Sequence, residues 1–294
     1  MRKSIRTFGS AAALMVAVST TSLAGDWEEG ARMDEGRVLA QAASSGTDIY
    51  VAGGAAFSGP KPSFDLYDTK SSMWRPLPPM PTARERFGMA SFSGRIYVAG
   101  GRASELATLR PSPSDELWAF DTTSRDWVMK EPMPTTRIDH AMVSIGDKLY
   151  VIGGTGPNAE RIYAYDVVRD EWDVLNGAMP QVRKGFGVAV DGTKIYVIGG
   201  VTLAGALSTR VDVFDTEKGT WSRSEPIPSP RVGLAAAFLN GRLHVAGGSV
   251  PDPAKTYNHH YSWAPGEDTW KTEEGLPTAR HSMASAVVGG HWYV

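Results

Sequence analysis

Trp74-Arg75-Pro76-Leu77-Pro78-Pro79-Met80-Pro81-Thr82-Ala83-Arg84 runs on through Gly94-Arg95-Ile96-Tyr97-Val98-Ala99-Gly100-Gly101, and this unit recurs along the chain. Its tryptophans are Trp27, Trp74, Trp127, Trp172, Trp221 and Trp270. Arginines follow ten residues later, once eleven: Arg37, Arg84, Arg137, Arg183, Arg231 and Arg280. Sixteen residues beyond each of the first five arginines stands a Gly-Gly pair, beginning at Gly53, Gly100, Gly153, Gly199 and Gly247. Spacings of 45 to 53 residues between tryptophans indicate a repeat architecture.

Each unit carries four strand signals. A run of small and apolar residues follows the arginine, as in Gly185-Phe186-Gly187-Val188-Ala189-Val190. A Gly-containing turn comes next (Asp191-Gly192, Gly146-Asp147, Asn240-Gly241), which suits a tight hairpin because Gly and Asn accept positive φ. The second strand is of the type Ile96-Tyr97-Val98, apolar throughout and therefore covered on both faces. A third ends in an aromatic-Asp pair (Tyr67-Asp68, Phe120-Asp121, Tyr165-Asp166, Phe214-Asp215), where the Asp can bond the backbone ahead and fix a turn. The next tryptophan, six residues past each Asp, opens the fourth strand.

Four antiparallel strands per repeat close radially when each sheet packs on its neighbours, which predicts an all-β propeller. Small residues such as Gly88, Ala141, Gly187 and Ala235 suit the crowded axis, and the glycine pairs admit bulky rings to the backbone. On this reading the tryptophans pack blades and are not a carbohydrate-stacking platform.

Composition narrows the setting. The 294 residues carry a formal charge of −2. Residues 1 to 24 hold three bases and no acid, so their removal leaves 27 bases against 32 acids, or −5, no obvious nucleic-acid binder. That N-terminus reads as a Sec-type signal peptide: a basic Met1 to Arg6, an apolar Ala11 to Ala17, and small residues in Ser22-Leu23-Ala24, with cleavage expected after Ala24. No membrane insertion is expected after cleavage. The chain has no cysteine, which rules out disulfides and thiolate chemistry and, for an exported protein, fits a bacterial periplasmic or extracellular setting.

Gly-Gly after an apolar strand, an aromatic-Asp, a tryptophan beyond it and an arginine after Met-Pro or its equivalent resemble Kelch repeats, across residues 25 to 294. The likeness has departures: Ala264 stands where the fifth unit's Asp is expected, His244 replaces a strand tyrosine, and an insertion lies between Arg102 and Ser114. Trp27 begins a fourth strand with no preceding three, while Arg280 to Val294 supplies a first and second strand only. In Kelch propellers the N-terminal strand often completes the last blade. The resemblance thus implies a six-bladed β-propeller whose sixth blade is incomplete, its third strand absent, with roughly 20 residues or more missing at the C-terminus by the repeat period.

By alternation of strand direction, the second-to-third and fourth-to-first connections share one face, where binding residues tend to lie. Arg84, Arg137, Arg183, Arg231 and Arg280, with Arg86, Lys184, His140 and His281, are expected to ring the channel mouth there and could hold an anion. The recurring arginines equally suit pairing with carboxylates of a neighbouring blade, such as Glu85 or Asp139. Arg86, His140 and Lys184 do not recur and are the stronger functional candidates. No nucleophile elbow, phosphate loop, metal set or cofactor motif is evident. His244 reads as a core histidine, and adjacent His259 and His260 point to opposite strand faces. Two functions follow: a binding propeller for a protein or glycan, anionic ligands included, or, by resemblance to exported bacterial Kelch proteins, a sialic acid mutarotase of the N-acetylneuraminate epimerase type. Galactose oxidase chemistry, which the same repeat also supports, needs a cysteine that is absent.

Overall fold

The computed structural model describes residues 27–104 and 111–294, together with the backbone of a strand at Ala13–Ala17. Its regular elements are all strands. Blade 1 is Gln41–Ser45, Asp48–Ala52, Phe64–Asp68 and Met73–Pro76, each paired antiparallel to the next. Blade 2 repeats this as Gly88–Phe92, Arg95–Ala99, Leu117–Asp121 and Trp127–Lys130. Blade 3 (Ala141–Ile145 to Glu171–Val174), blade 4 (Gly187–Asp191 to Thr220–Ser224) and blade 5 (Val232–Leu239 to Lys271–Glu273) keep the same order. First strands of neighbouring blades lie side by side about the axis at every seam but that of blades 3 and 4, which is closed through its buried side chains, giving a β-propeller.

The sixth sheet joins both ends of the chain. Its order is Ala286–Val288, His291–Tyr293, Ala13–Ala17, Trp27–Arg32. Trp27–Arg32 thus takes the outer position expected of it. The third strand, expected to be absent, is supplied by Ala13–Ala17, which meets His291–Tyr293 over two pairs, against four or five in the other blades. An open edge of N–H and C=O groups on His291–Tyr293 favours such pairing. The remainder of the expected leader lies outside the described residues.

Repeat residues hold the blades as scaffold. Tyr67, Phe120, Tyr165 and Phe214 sit opposite Trp74, Trp127, Trp172 and Trp221 in register. Each indole Nε1 donates to a carbonyl of the preceding blade: Trp74 to Ala31, Trp127 to Pro78, Trp172 to Glu131, Trp221 to Gly177 and Trp270 to Glu225, at 2.8–3.2 Å. Oδ1 of Asp68 accepts from the N–H groups of Lys70 and Ser71, and Asp121, Asp166 and Asp215 repeat the turn. Where Ala264 lacks that group, Glu267 across the turn accepts the Ala264 N–H at 3.0 Å. Buried apolar clusters fill the seams between adjacent sheets, including Ile49, Val51 and Tyr67 against Val288 and Tyr293 where the ring closes.

The second glycine of each pair ties blade to blade. Gly101 N–H donates to the Arg137 carbonyl at 2.8 Å, and Gly54, Gly154, Gly200 and Gly248 bond the next arginine carbonyl likewise. A methyl group on Gly101 would lie 2.6 Å from the Glu85 carbonyl oxygen. Gly88 is small because of the next blade, not the axis: a methyl there would meet Met142 Cβ at 2.7 Å.

Candidate functional site

The arginines open short ladders with the loops that follow each second strand. Arg183–Lys184 pairs with Val201–Thr202, and Arg84 with Ala103, so both kinds of connection share one face. On that face, two residues past each arginine, the chain turns into positive φ: Leu39, Arg86, Asp139, Gly185, Gly233 and Ser282, at 52–67°. Backbone bonds link these positions across seams. Leu39 N–H donates to Ser282 O (3.0 Å), Ser282 to Gly233 (2.7 Å), Gly233 to Gly185 (2.7 Å) and Asp139 to Arg86 (2.8 Å). The belt encircles the mouth of an axial channel of about 500 Å³. Four of its members are not glycine, a conformation costing about 1–3 kcal/mol each of the kind that gathers at functional sites.

Arg86 and Lys184 line that channel beside Asp139, Leu39 and Ser282. Arg86 Nη1 lies 3.1 Å from Asp139 Oδ1, with a side chain 37% exposed. Lys184 is half-buried and makes no ion pair among the described residues.

The recurring arginines do not ring the mouth. Arg84, Arg137, Arg183 and Arg231 are buried inside the sheets. Arg84 binds Glu116 at 2.6 Å and the Gly100 carbonyl at 3.1 Å. Arg137 donates to the carbonyls of Arg161 and Asn158 and lies 4.2 Å over the Tyr163 ring. Arg183 pairs with fully buried Asp212 at 2.9 Å. Arg231 donates to the Gly247 carbonyl and stacks on Tyr257 and Tyr261. Loss of hydration pushes the pKa of all four down, countered by Glu116 at Arg84 and Asp212 at Arg183. Their partners belong to the adjoining loop and strands, not to Glu85 or Asp139 of a neighbouring blade.

His140 lines the same channel, but as a buried wedge between blades. Three residues past each arginine a side chain wedges against the preceding blade's glycines: Phe87 at Gly53, Phe186 at Gly153, Leu234 at Gly199, Met283 at Gly247. His140 fills that place at Gly100, buried, both ring nitrogens unpaired. Carbonyls of Ala99 and Arg137 approach the ring without hydrogen-bonding geometry. Burial, then Arg137, pushes its pKa down to about 3.

Arg280 and His281 line a separate cleft of about 690 Å³ between the sixth sheet and blade 1, beside Arg32, Val38 and Phe57. His281 is exposed and bonds Ser282 Oγ, while burial pushes Arg280 down and Glu29 offsets this. Phe57 stands fully exposed at the tip of a hairpin between Ala55–Ala56 and Gly59–Pro60. Sequence reasoning passed over both the belt and Phe57. Glycines at two of six belt positions, Gly185 and Gly233, were the available signal for the first; a lone loop phenylalanine offered none for the second.

Residues 110–294 match the family described as the KLHDC2/KLHL20/DRC7 Kelch-repeats domain, and residues 36–81 and 83–134 match the Kelch motif. The chain belongs to the Kelch-repeat family. Kelch-like protein 40 of Xenopus tropicalis is 29% identical over 243 residues, covering 79% of this Kelch chain and 38% of that protein. Kelch-like protein 40 of Mus musculus is 32% identical over 209 residues, covering 68% and 33%. This Kelch chain therefore spans well under half the length of these relatives. The solved structure of YjhT superposes with a TM-score of 0.76 at 17% identity, covering 90% of this chain and 95% of that one, a likeness of fold.

Proposed function

We propose that this Kelch propeller is a recognition module that grips a protein partner on its loop face. Phe57 carries the reading: it is fully exposed on a hairpin of that face and, with exposed Val38, lines the cleft beside blade 1. Exposed aromatics and arginines are the residues that anchor interfaces. Arg86, Lys184 and half-exposed Arg102 share the face, so the fitting partner presents an apolar side chain and carboxylates. Peptide display against the immobilised chain, followed by titration of selected peptides, tests this. Phe57→Ser is expected to weaken binding at least about tenfold with Tm unchanged. Selected peptides indifferent to Phe57→Ser and Arg86→Ala overturn it.

Lys184, without an ion-pair partner at the channel mouth, favours a second reading in which a small anionic sugar enters the channel, as for a sialic acid mutarotase. Accelerated exchange between sialic acid anomers, followed by NMR and lost in Lys184→Ala, distinguishes it from the first.

Export through residues 1–24 is part of the proposal. Cleavage after Ala24 removes Ala13–Ala17 from the sixth sheet, so leader and third strand compete for the same five residues. The intact mass of the secreted chain decides between them: loss of residues 1–24 supports export by cleavage, and a full-length mass refutes it.

A further inference from the structure

Blade 5 faces the sixth sheet with polar groups where the other blades are apolar. His244 holds the place of Tyr50, Tyr97, Tyr150 and Tyr196, and His260 the place of Phe64, Leu117, Ile162 and Val211. Both rings sit in the seam closed by the two chain ends. Trp27 lies 5.5 Å from His260 and from Trp292 between ring centroids, and Trp292 is 5.8 Å from His260 and 6.3 Å from His244.

Hydrogen bonds fix the tautomers. His260 Nδ1 is 3.2 Å from the Glu274 carbonyl oxygen, which only accepts, so Nδ1 carries the proton. In the neutral ring Nε2 then accepts from His244 Nδ1, 3.0 Å away. The same Glu274 carbonyl accepts from Trp27 Nε1 at 3.1 Å. A second proton on the facing nitrogens sets N–H against N–H.

Of the surrounding charges, Glu273 raises the pKa of both imidazoles and Arg242 lowers that of His244, each less than burial does. Arg242 and Lys271 bind Glu267, and Glu273 accepts from the Ser262 hydroxyl. From the sixth sheet, Glu28 is exposed beside Trp27, and His291, beside Trp292, bonds back to the Gly289 carbonyl. The bonds that reach the two imidazoles are each other's, that of the Glu274 carbonyl to His260 and that of the Leu239 carbonyl to His244, which acts against the larger effect of burial.

We propose that His244 and His260 form an acid-sensitive latch on the seam that closes the propeller: neutral, they hold Trp27 and Trp292 against blade 5, and protonated, they release strand Trp27–Arg32. Burial, then the mutual repulsion of the pair, pushes His244 down to about 4, and burial lowers His260. Opening returns each ring to its ordinary value of about 6.5, so between that pH and about 4 the open seam binds more protons than the closed one. Closure is therefore complete above pH ~6.5 and weakens as pH falls. His244 alone favours opening about 30-fold at pH 5.

Hydrogen exchange of the full chain at pH 7.5 and 5.0, corrected for intrinsic rates, tests the latch. Protection of residues 27–32 and 286–293 is expected to drop at least about tenfold at pH 5, while the strands of blade 4, whose two packed faces hold no histidine, keep theirs. The drop is expected to vanish in the double variant His244→Tyr with His260→Leu. His260→Gln, which keeps a donor for Glu274 and an acceptor for His244 without titrating, is expected to reduce it should the double variant fail to fold. A loss spread evenly over all blades, or one undiminished in the variants, overturns the proposal.

Discussion

Trp27 Nε1 donates to the Glu274 carbonyl, 247 residues later in the chain, at 3.1 Å. This is the bond that Trp270 makes to Glu225 and Trp221 to Gly177 within the continuous chain. The same staple that repeats between successive blades therefore ties strand Trp27–Arg32 to blade 5.

Trp27→Ala follows from that relationship. The side chain is 8% exposed and shares a cluster with Trp292 and Leu276, so truncation is expected to cost about 3–5 kcal/mol. Trp27→Phe keeps most of the apolar contact and loses the hydrogen bond, a cost of about 1 kcal/mol. Denaturant unfolding of both variants checks the order.

Gly101 and Gly192 separate two uses of positive φ. Gly192 lies in an open hairpin turn with nothing near an added methyl, so Gly192→Ala is expected to cost about 1–2 kcal/mol, the left-handed penalty alone. At Gly101 the methyl also meets Glu85 O and Phe87 Cβ at 2.6 and 2.7 Å. Gly101→Ala is expected to cost more than about 3 kcal/mol or to prevent folding. Equal Tm shifts for the two variants would contradict the close approach.

Fold was legible in the sequence because tryptophan, arginine, Gly-Gly and Asp each answer a backbone need that recurs from blade to blade, blade 5 meeting the Asp's with Glu267. The site was less legible for the same reason. Arg84 and Arg86 are indistinguishable by type and two residues apart, yet the first is buried in the strand Ala83–Glu85 and the second, at positive φ just past that strand, lines the channel mouth. His140 misled because a histidine that does not recur among the units reads as functional. Only its alignment with Phe87, Phe186, Leu234 and Met283 shows a wedge, and that comparison needs the position rather than the residue type.

His140→Phe is accordingly expected to stabilise the chain. Two unpaired buried nitrogens are replaced by the ring that blades 2 and 4 use at this position, a gain of about 1–2 kcal/mol at pH 7.5. At pH 5 the unfolded histidine is protonated while the folded one, with its pKa near 3, is not. The wild type loses stability as pH falls from about 6.5 toward 3, so the variant's advantage grows by about 2 kcal/mol at pH 5. Urea titrations at the two pH values measure the difference.

Arg84→Ala and Arg86→Ala are expected to fail in opposite ways. Removing the buried Arg84 guanidinium leaves the Gly100 carbonyl without its donor and a void inside the blade, while one-third-exposed Glu116 keeps its bond from Trp118, a cost of about 2–3 kcal/mol. Arg86 is 37% exposed, though its partners Asp139 and Glu85 are only 14% and 10% exposed, so its removal costs about 1–2 kcal/mol. Binding at the loop face should follow the reverse order once each protein is assayed below its own Tm: Arg86→Ala weakens capture of carboxylate-bearing peptides, and Arg84→Ala, where it folds, leaves it near the wild-type value. Thermal unfolding and peptide titration on the same two variants therefore separate the arginine that holds the blade from the one that faces the ligand, and a large Tm loss for Arg86→Ala would place it with the scaffold instead.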